Sequence, residues 1–191
     1  EYTRKAVHVL SGLVGLTFPL IFDNHLPVLI LSSEFLVLLV FSKLFNFFKS
    51  INKVERKTVG SFLFPVSIYV VFIASLYFEN KSFYYIPILI LAISDPVAAL
   101  SGIIYKSKTQ KNRKIRYIKI WKTNKTIVGS ALFALSAFVI SVVLLWLTTD
   151  LLLWKLFFIS FCISLFGAFV EAYSKKGIDN LTIPLSVLLV L

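Results

Sequence analysis

Long apolar runs are the feature that most constrains the fold of this 191-residue chain. A helix needs about 20 predominantly apolar residues to cross a bilayer core about 30 Å thick. Six runs approach or reach that length, at residues 6–22, 26–48, 59–78, 83–105, 127–148 and 153–173, and a seventh begins near Leu181, eleven residues from the end. Lipid offers the backbone no hydrogen-bond partner, and the runs are too long and continuous for barrel strands. The sequence therefore predicts an all-α polytopic membrane bundle of six to seven transmembrane helices.

The composition also favours a membrane protein. Hydrophobic residues make up 58% of the chain and the mean hydropathy is +0.88, whereas soluble domains are about half apolar. No linker divides the sequence, which predicts a single domain over residues 1–191, and the lone Cys162 predicts neither a disulfide nor a metal site. Because the first residue is Glu1 rather than Met, we expect a trimmed chain whose run at 6–22 is a retained span.

The positive charges lie on one side of the predicted membrane. If the amino end is cytoplasmic, 18 of the 20 Lys and Arg residues fall on the cytoplasmic side, nine of them in the basic loop at 106–126, and Lys81 and Lys155 fall outside. This distribution follows the positive-inside rule and predicts an integral membrane protein with its polar site on the cytoplasmic side. It also explains the net charge of +11 by the anionic leaflet rather than by a nucleic-acid partner.

Carboxylates are expensive near hydrocarbon and therefore mark candidate functional positions. An acid at a helix centre costs at least about 2.5–3.5 kcal/mol on the mildest insertion scale. Asp95, Glu171 and Asp179 lie at predicted cytoplasmic helix ends. Mg²⁺ takes one or two protein carboxylates and keeps its other positions for water and substrate phosphates, so these acids predict a magnesium site. The alternatives are salt bridges, from Asp95 to a loop lysine and from Glu171 to Lys175.

Cations and a helix start suited to phosphates accompany these acids. Clustered basic residues can neutralise a triphosphate, and the chain offers Arg4, Lys5, Arg56, Lys57, Lys122 and Lys125. Thr126, Gly129 and Ser130 open the fifth helix, whose free N–H groups favour an anion. His8, one turn from Arg4, is either a general base, a hydrogen-bonding orienter or a structural residue. Pro96 lacks an N–H and is expected to loosen the helix near Asp95.

Glu34 lies in the middle third of the second run, where no acid or base falls within a turn. We expect it to face the bundle interior, either protonated or paired to another helix, and its role is left open.

Five short motifs occur in one order along nearly the whole chain. They are Arg4-Lys5-Ala6-Val7-His8 with Gly12, Arg56-Lys57-Thr58-Val59-Gly60 with Phe64-Pro65, Ser94-Asp95-Pro96-Val97-Ala98-Ala99-Leu100-Ser101-Gly102, Lys122-Thr123-Asn124-Lys125-Thr126-Ile127-Val128-Gly129-Ser130, and Glu171 with Gly177-Ile178-Asp179-Asn180-Leu181-Thr182-Ile183-Pro184. Together they resemble the family of polyprenol and dolichol kinases, phytol kinases and CTP-dependent diacylglycerol kinases. Ser94 stands where that family often has Gly, and Thr126 where it often has Ser.

The resemblance implies a membrane-embedded kinase that transfers the terminal phosphate of CTP, or alternatively ATP, to the hydroxyl of a lipid alcohol such as diacylglycerol, phytol or a polyprenol. It implies nucleotide or metal binding by Asp95, Lys122, Lys125, Gly129 and Ser130, and further active-site roles for Arg4, Lys5, His8, Glu171, Asp179 and Asn180. The same Asp-to-Lys-Thr-x-x-Gly order also resembles phosphatidate cytidylyltransferases, which are generally longer. The remaining alternative is a transporter or scaffold with a basic lipid-binding face.

Overall fold

The computed structural model describes residues 2–45, 59–109, 117–120 and 123–191. In these ranges the chain forms nine α-helices, one π-helical segment and one two-stranded hairpin. The elements in chain order are α1 (Tyr2–Gly15), α2 (Phe18–Ile21), α3 (His25–Phe45), α4 (Gly60–Tyr77), α5 (Ser82–Leu89), the π-helical segment (Ile90–Ser94), α6 (Asp95–Thr109), β1 (Tyr117–Ile120), β2 (Thr123–Thr126), α7 (Ile127–Thr148), α8 (Leu153–Tyr173) and α9 (Asp179–Val190).

Five helical stretches are long and apolar enough to cross a membrane: α3, α4, the continuous stretch Ser82–Thr109, α7 and α8. The predicted membrane class and helical architecture are therefore confirmed at this level. The helix α9 is apolar but has 12 residues. The predicted first run at 6–22 is divided, because α1 ends at Gly15 and Pro19 cannot continue its hydrogen-bond ladder.

The stretch Ser82–Thr109 is the centre of the bundle. It packs against α1, α4, α7 and α9. Tyr84, Ile86, Ile88 and Leu91 are fully buried on it, and the Tyr84 hydroxyl donates to the Gly15 carbonyl at 2.7 Å. Helix α3, by contrast, is mostly exposed: it packs on α4, and only 17% of its apolar span is buried.

The π-helical segment immediately precedes Asp95 and fulfils the expectation that Pro96 loosens this helix. In a π-turn the carbonyl of Leu91 would receive the N–H of the fifth residue on, which is Pro96 and has none. The Leu91 carbonyl is therefore left for another donor. Asp95 does not lie in the last turn of its helix, because α6 continues for four turns to Thr109.

A hairpin lies inside the basic segment that was expected to be a loop. Strands β1 and β2 pair antiparallel, with Tyr117 opposite Thr126 and Ile120 opposite Thr123. Strand β2 runs directly into α7. The hairpin thereby sets the position of Thr126 at the start of that helix.

Candidate active site

Asp95 forms a buried ion pair with Lys5. The Lys5 Nζ lies 2.5 Å from Asp95 Oδ2, and the two side chains are 9% and 4% exposed. Helix α1 can approach this closely because residue 12 is glycine: a Cβ there would lie 2.4 Å from the Cβ of Ala92 in the π-helical segment. The salt bridge expected of Asp95 exists, but its partner comes from α1 and not from the basic loop.

His8 lies one turn after Lys5 on the same side of α1. Its Nε2 is 3.0 Å from the Leu91 carbonyl oxygen and 3.8 Å from Asp95 Oδ2. A carbonyl only accepts, so Nε2 carries the proton and donates to Leu91. In the neutral ring the free acceptor is therefore Nδ1, which makes this atom the one available to take up a proton.

The start of α7 is the helix end that was predicted to bind an anion, and this role stays a prediction. Thr126 caps the helix, with its Oγ1 accepting from the Gly129 N–H at 3.2 Å. A Cβ on Gly129 would lie 2.8 Å from the Ala98 carbonyl oxygen, and one on Gly102 would lie 2.9 Å from Thr126 Oγ1. The two glycines thus let α6 and α7 pack against each other at the level of the cap.

Glu171 lies beside this helix start, near the end of α8. It is 2% exposed and forms an ion pair with Lys125, the residue before the cap. The Ser130 hydroxyl lies 3.4 Å from its second oxygen, Oε2. The expected alternative of a Glu171–Lys175 pair is therefore wrong, since the carboxylate is turned toward α7.

Asp179 and Asn180 occupy the first turn of α9. The preceding turn carries Gly177 at φ 88°, and the Val59 N–H donates to the Lys176 carbonyl at 2.9 Å. Asn180 Nδ2 donates to the Gly60 carbonyl at 2.7 Å. These bonds attach the start of α9 to the start of α4 and hold Asp179 in place.

Electrostatics joins these groups into one cluster, which we call the carboxylate–lysine cluster: Lys5, Asp95, Lys125, Glu171 and Asp179. Burial raises the pKa of the Asp179 carboxyl, and the negative charge of Asp95 raises it further. Burial alone would lower the pKa of the Lys125 amine, but the adjacent Glu171 carboxylate more than offsets this and the pKa is raised overall. The Lys125 side chain is 32% exposed, so the cluster opens to the surface at this cation.

The other predicted residues lie at the surface or outside the described residues. Arg4 is exposed on α1, whereas its neighbour Lys5 is buried. Arg56, Lys57 and Lys122 lie outside the part of the chain that the structure describes. Glu34 is exposed on α3, so the expectation that it faces the bundle interior is wrong.

The three predicted metal-ligating carboxylates are not arranged as a ready-made cage. Among the described residues, no three His, Cys, Asp or Glu side chains are grouped closely enough to hold a metal ion. Asp95 and Glu171 each accept from a lysine instead. One or two carboxylates suffice for Mg²⁺ that arrives with phosphates, so the donor set is compatible with that ion, and the metal role stays a prediction.

Two features of the site were missed from the sequence. The hydrogen bond of His8 to the Leu91 carbonyl depends on the π-turn, because in an ordinary α-helix the Asp95 N–H would donate to that carbonyl, and the sequence does not mark the π-turn. The Ser94 hydroxyl is fully buried and has no hydrogen-bond partner among the residues described. No sequence signal marks that hydroxyl beyond its position next to Asp95.

Comparison with known proteins finds no family model, no curated protein and no solved structure that matches this chain significantly.

Proposed function

We propose that this protein is a lipid-alcohol kinase of the membrane, which transfers the γ-phosphate of CTP, with ATP as the alternative donor, to the hydroxyl of a lipid such as diacylglycerol, phytol or a polyprenol. One observation carries the proposal. The buried Lys5–Asp95 pair, the Lys125–Glu171 pair with its partly exposed lysine, and the half-buried Asp179 act electrostatically on one another, and Lys125 lies directly before the capped start of α7. Buried ion pairs are costly compared with apolar packing, which favours a functional reason for keeping them.

The pairs can exchange partners with a magnesium nucleotide. Lys5 and Lys125 would transfer from carboxylates to phosphate oxygens, and the carboxylates would transfer to the cation. The free N–H groups at the start of α7 add a positive dipole end for the same phosphates. Each lysine thus exchanges a carboxylate for a phosphate, and each carboxylate exchanges a lysine for the metal cation. Binding therefore leaves no buried charge unpaired.

The chemical step is an in-line displacement at phosphorus. The lipid hydroxyl oxygen forms a bond to the γ-phosphorus, and the bond from that phosphorus to the β,γ-bridging oxygen breaks, which releases the nucleoside diphosphate. The hydroxyl proton goes to His8 Nδ1 or to a carboxylate of the cluster. Lys5, Lys125 and, from α1, Arg4 stabilise the negative charge on the transferring phosphoryl group.

Asp95, Asp179 and Glu171 are the residues that would hold Mg²⁺. When bound, the ion would neutralise phosphate charge and hold the oxygens in place. Asp95 accepts from Lys5 through Oδ2, and Glu171 through Oε1 from Lys125, so each carboxylate has a second oxygen on which a cation can be bound.

The proposed orientation places the amino end and the cluster on the cytoplasmic side, with six to seven spans once α1 and α9 are counted with the five long helices. Support comes from the distribution of Lys and Arg, 18 of 20 on that side. A soluble nucleotide could then reach Lys125 from the cytoplasm, and a lipid could present its hydroxyl from the leaflet.

The test is lipid phosphorylation by the purified chain in mixed micelles with γ-labelled CTP and Mg²⁺. We expect Asp95→Asn to lower kcat at least about 100-fold, the range of an electrostatic group in phosphoryl transfer. Asp23→Asn, which removes an exposed acid between α2 and α3, is the matched control and should keep wild-type turnover. Near wild-type turnover of Asp95→Asn would exclude the proposed role.

A further inference from the structure

Glu34 is the most anomalous side chain outside the carboxylate–lysine cluster. It is the tenth of the 21 residues of α3, about 14 Å along the helix from His25, and so lies close to the middle of a bilayer core about 30 Å thick. Its side chain is exposed, and it makes no hydrogen bond or ion pair with any residue that the structure describes. A carboxyl at this depth costs at least about 2.5–3.5 kcal/mol when ionised and still needs hydrogen-bond partners when neutral.

The surface around Glu34 is a continuous apolar face on the outside of the bundle. Residues three, four and seven positions away share its side of the helix. Ile30, Val37, Leu38 and Phe41 are 56%, 52%, 65% and 51% exposed. The buried residues of α3 on the other side, Val28 and Ser32, show that this outer face points away from the bundle.

We infer that two copies of this chain associate through this outer face of α3, with the two Glu34 side chains hydrogen-bonded to each other at the centre of the interface. The inference does not depend on the kinase activity. It rests on a mid-membrane acid that has no partner among the described residues, on a face that those residues leave uncovered.

The chemistry of Glu34 favours a second copy over other occupants. Between His25 and Lys43 no other residue of the chain is ionisable, so the face offers no cation and does not complement itself by charge. A neutral carboxyl, however, both donates and accepts a hydrogen bond, so two of them satisfy each other reciprocally. A twofold interface brings such a pair together, because a residue near the symmetry axis contacts the same residue of the second copy.

The shared orientation of the two copies in the membrane favours this pairing. Two copies inserted in the same orientation carry Glu34 at the same depth, so a twofold axis along the membrane normal brings the acids together without any shift in register. Polar side chains that hydrogen-bond between helices are a known source of association in lipid, where apolar faces alone have little driving force.

The test is disulfide crosslinking of the full chain in phosphatidylcholine vesicles, in a Cys162→Ser background. Leu38→Cys places a thiol one turn from Glu34, and Leu135→Cys places one on an equally exposed mid-span face of α7, at 58%. We expect oxidation to yield a disulfide-linked dimer from Leu38→Cys and monomer from Leu135→Cys. Monomer from both, or dimer from both alike, overturns the inference.

Two substitutions at Glu34 separate its hydrogen bond from simple apolar contact. Gln keeps a donor and an acceptor, whereas Leu fills similar space without either. By energy transfer between labelled copies in vesicles, we expect Glu34→Leu to weaken dimerisation about ten-fold, equivalent to about 1.4 kcal/mol, and Glu34→Gln to weaken it far less. Unchanged association of Glu34→Leu, or no energy transfer between wild-type copies, contradicts the inference.

Discussion

The buried pair of Lys5 and Asp95 can be dissected by a double-mutant cycle. Both side chains are less than a tenth exposed and their charged atoms are 2.5 Å apart. Lys5→Met removes the cation at nearly constant volume and leaves an uncompensated buried carboxylate, which typically costs about 3–5 kcal/mol. We therefore expect a loss of about 3–5 kcal/mol for this variant.

The double variant Lys5→Met/Asp95→Asn removes both charges. Because a buried pair replaced as a whole is often nearly neutral, we expect it to recover most of the loss of the single variant. Lys108→Met removes an exposed lysine from α6 and should stay within about 0.5 kcal/mol of wild type.

The assay is reversible unfolding by denaturing detergent in mixed micelles, followed by the fluorescence of the three Trp residues. A loss below about 1 kcal/mol for Lys5→Met would mean that the pair is not buried as described. Strict additivity of the two single losses in the double variant would equally refute the coupling.

The other predictions concern the start of α7 and the pH dependence of stability. Thr126→Ala should lower stability by about 1 kcal/mol through loss of the cap, whereas Thr126→Ser should keep it, as measured by thermal unfolding. Gly129→Ala should cost about 1–3 kcal/mol in the same assay, because its Cβ would lie 2.8 Å from the Ala98 carbonyl oxygen and push α7 from α6. Asp179 has a folded-state pKa above the unfolded one, so its contribution to stability is present below about pH 4 and is lost as the pH rises through the raised value. Asp179→Asn should flatten that part of the stability curve, and an unchanged curve would contradict the assignment.

The helices of the membrane could be predicted closely where a long apolar run ends at polar turn residues. The runs predicted at 127–148 and 153–173 have the same bounds as α7 and α8. The first run is divided because α1 ends at Gly15 and Pro19, in the first turn of α2, has no N–H to continue the hydrogen-bond ladder, which hydropathy does not report. The hairpin before α7 was missed because its strands are only four residues long and lie in a strongly basic segment, a pattern typical of a loop.

The candidate site could be predicted as a set of residues but not as pairs. Lys5, Asp95, Lys125 and Glu171 were all identified from their charges, yet their partners depend on which helices meet in space. The orientation of Glu34 was beyond prediction because the apolar residues of α3 are spread around the whole helix, so its sequence does not mark an inner face.

The central claim is the transfer of a terminal phosphate to a lipid alcohol, and one measurement tests it most directly. Purified wild-type chain is incubated with a panel of diacylglycerol, phytol and polyprenol and with CTP labelled at the α- or at the γ-phosphate. We predict that label from the γ-position enters the lipid and that label from the α-position stays in CDP. Entry of the α-label with release of pyrophosphate would instead identify a cytidylyltransferase, and no label in any lipid, with CTP or with γ-labelled ATP, would contradict the account.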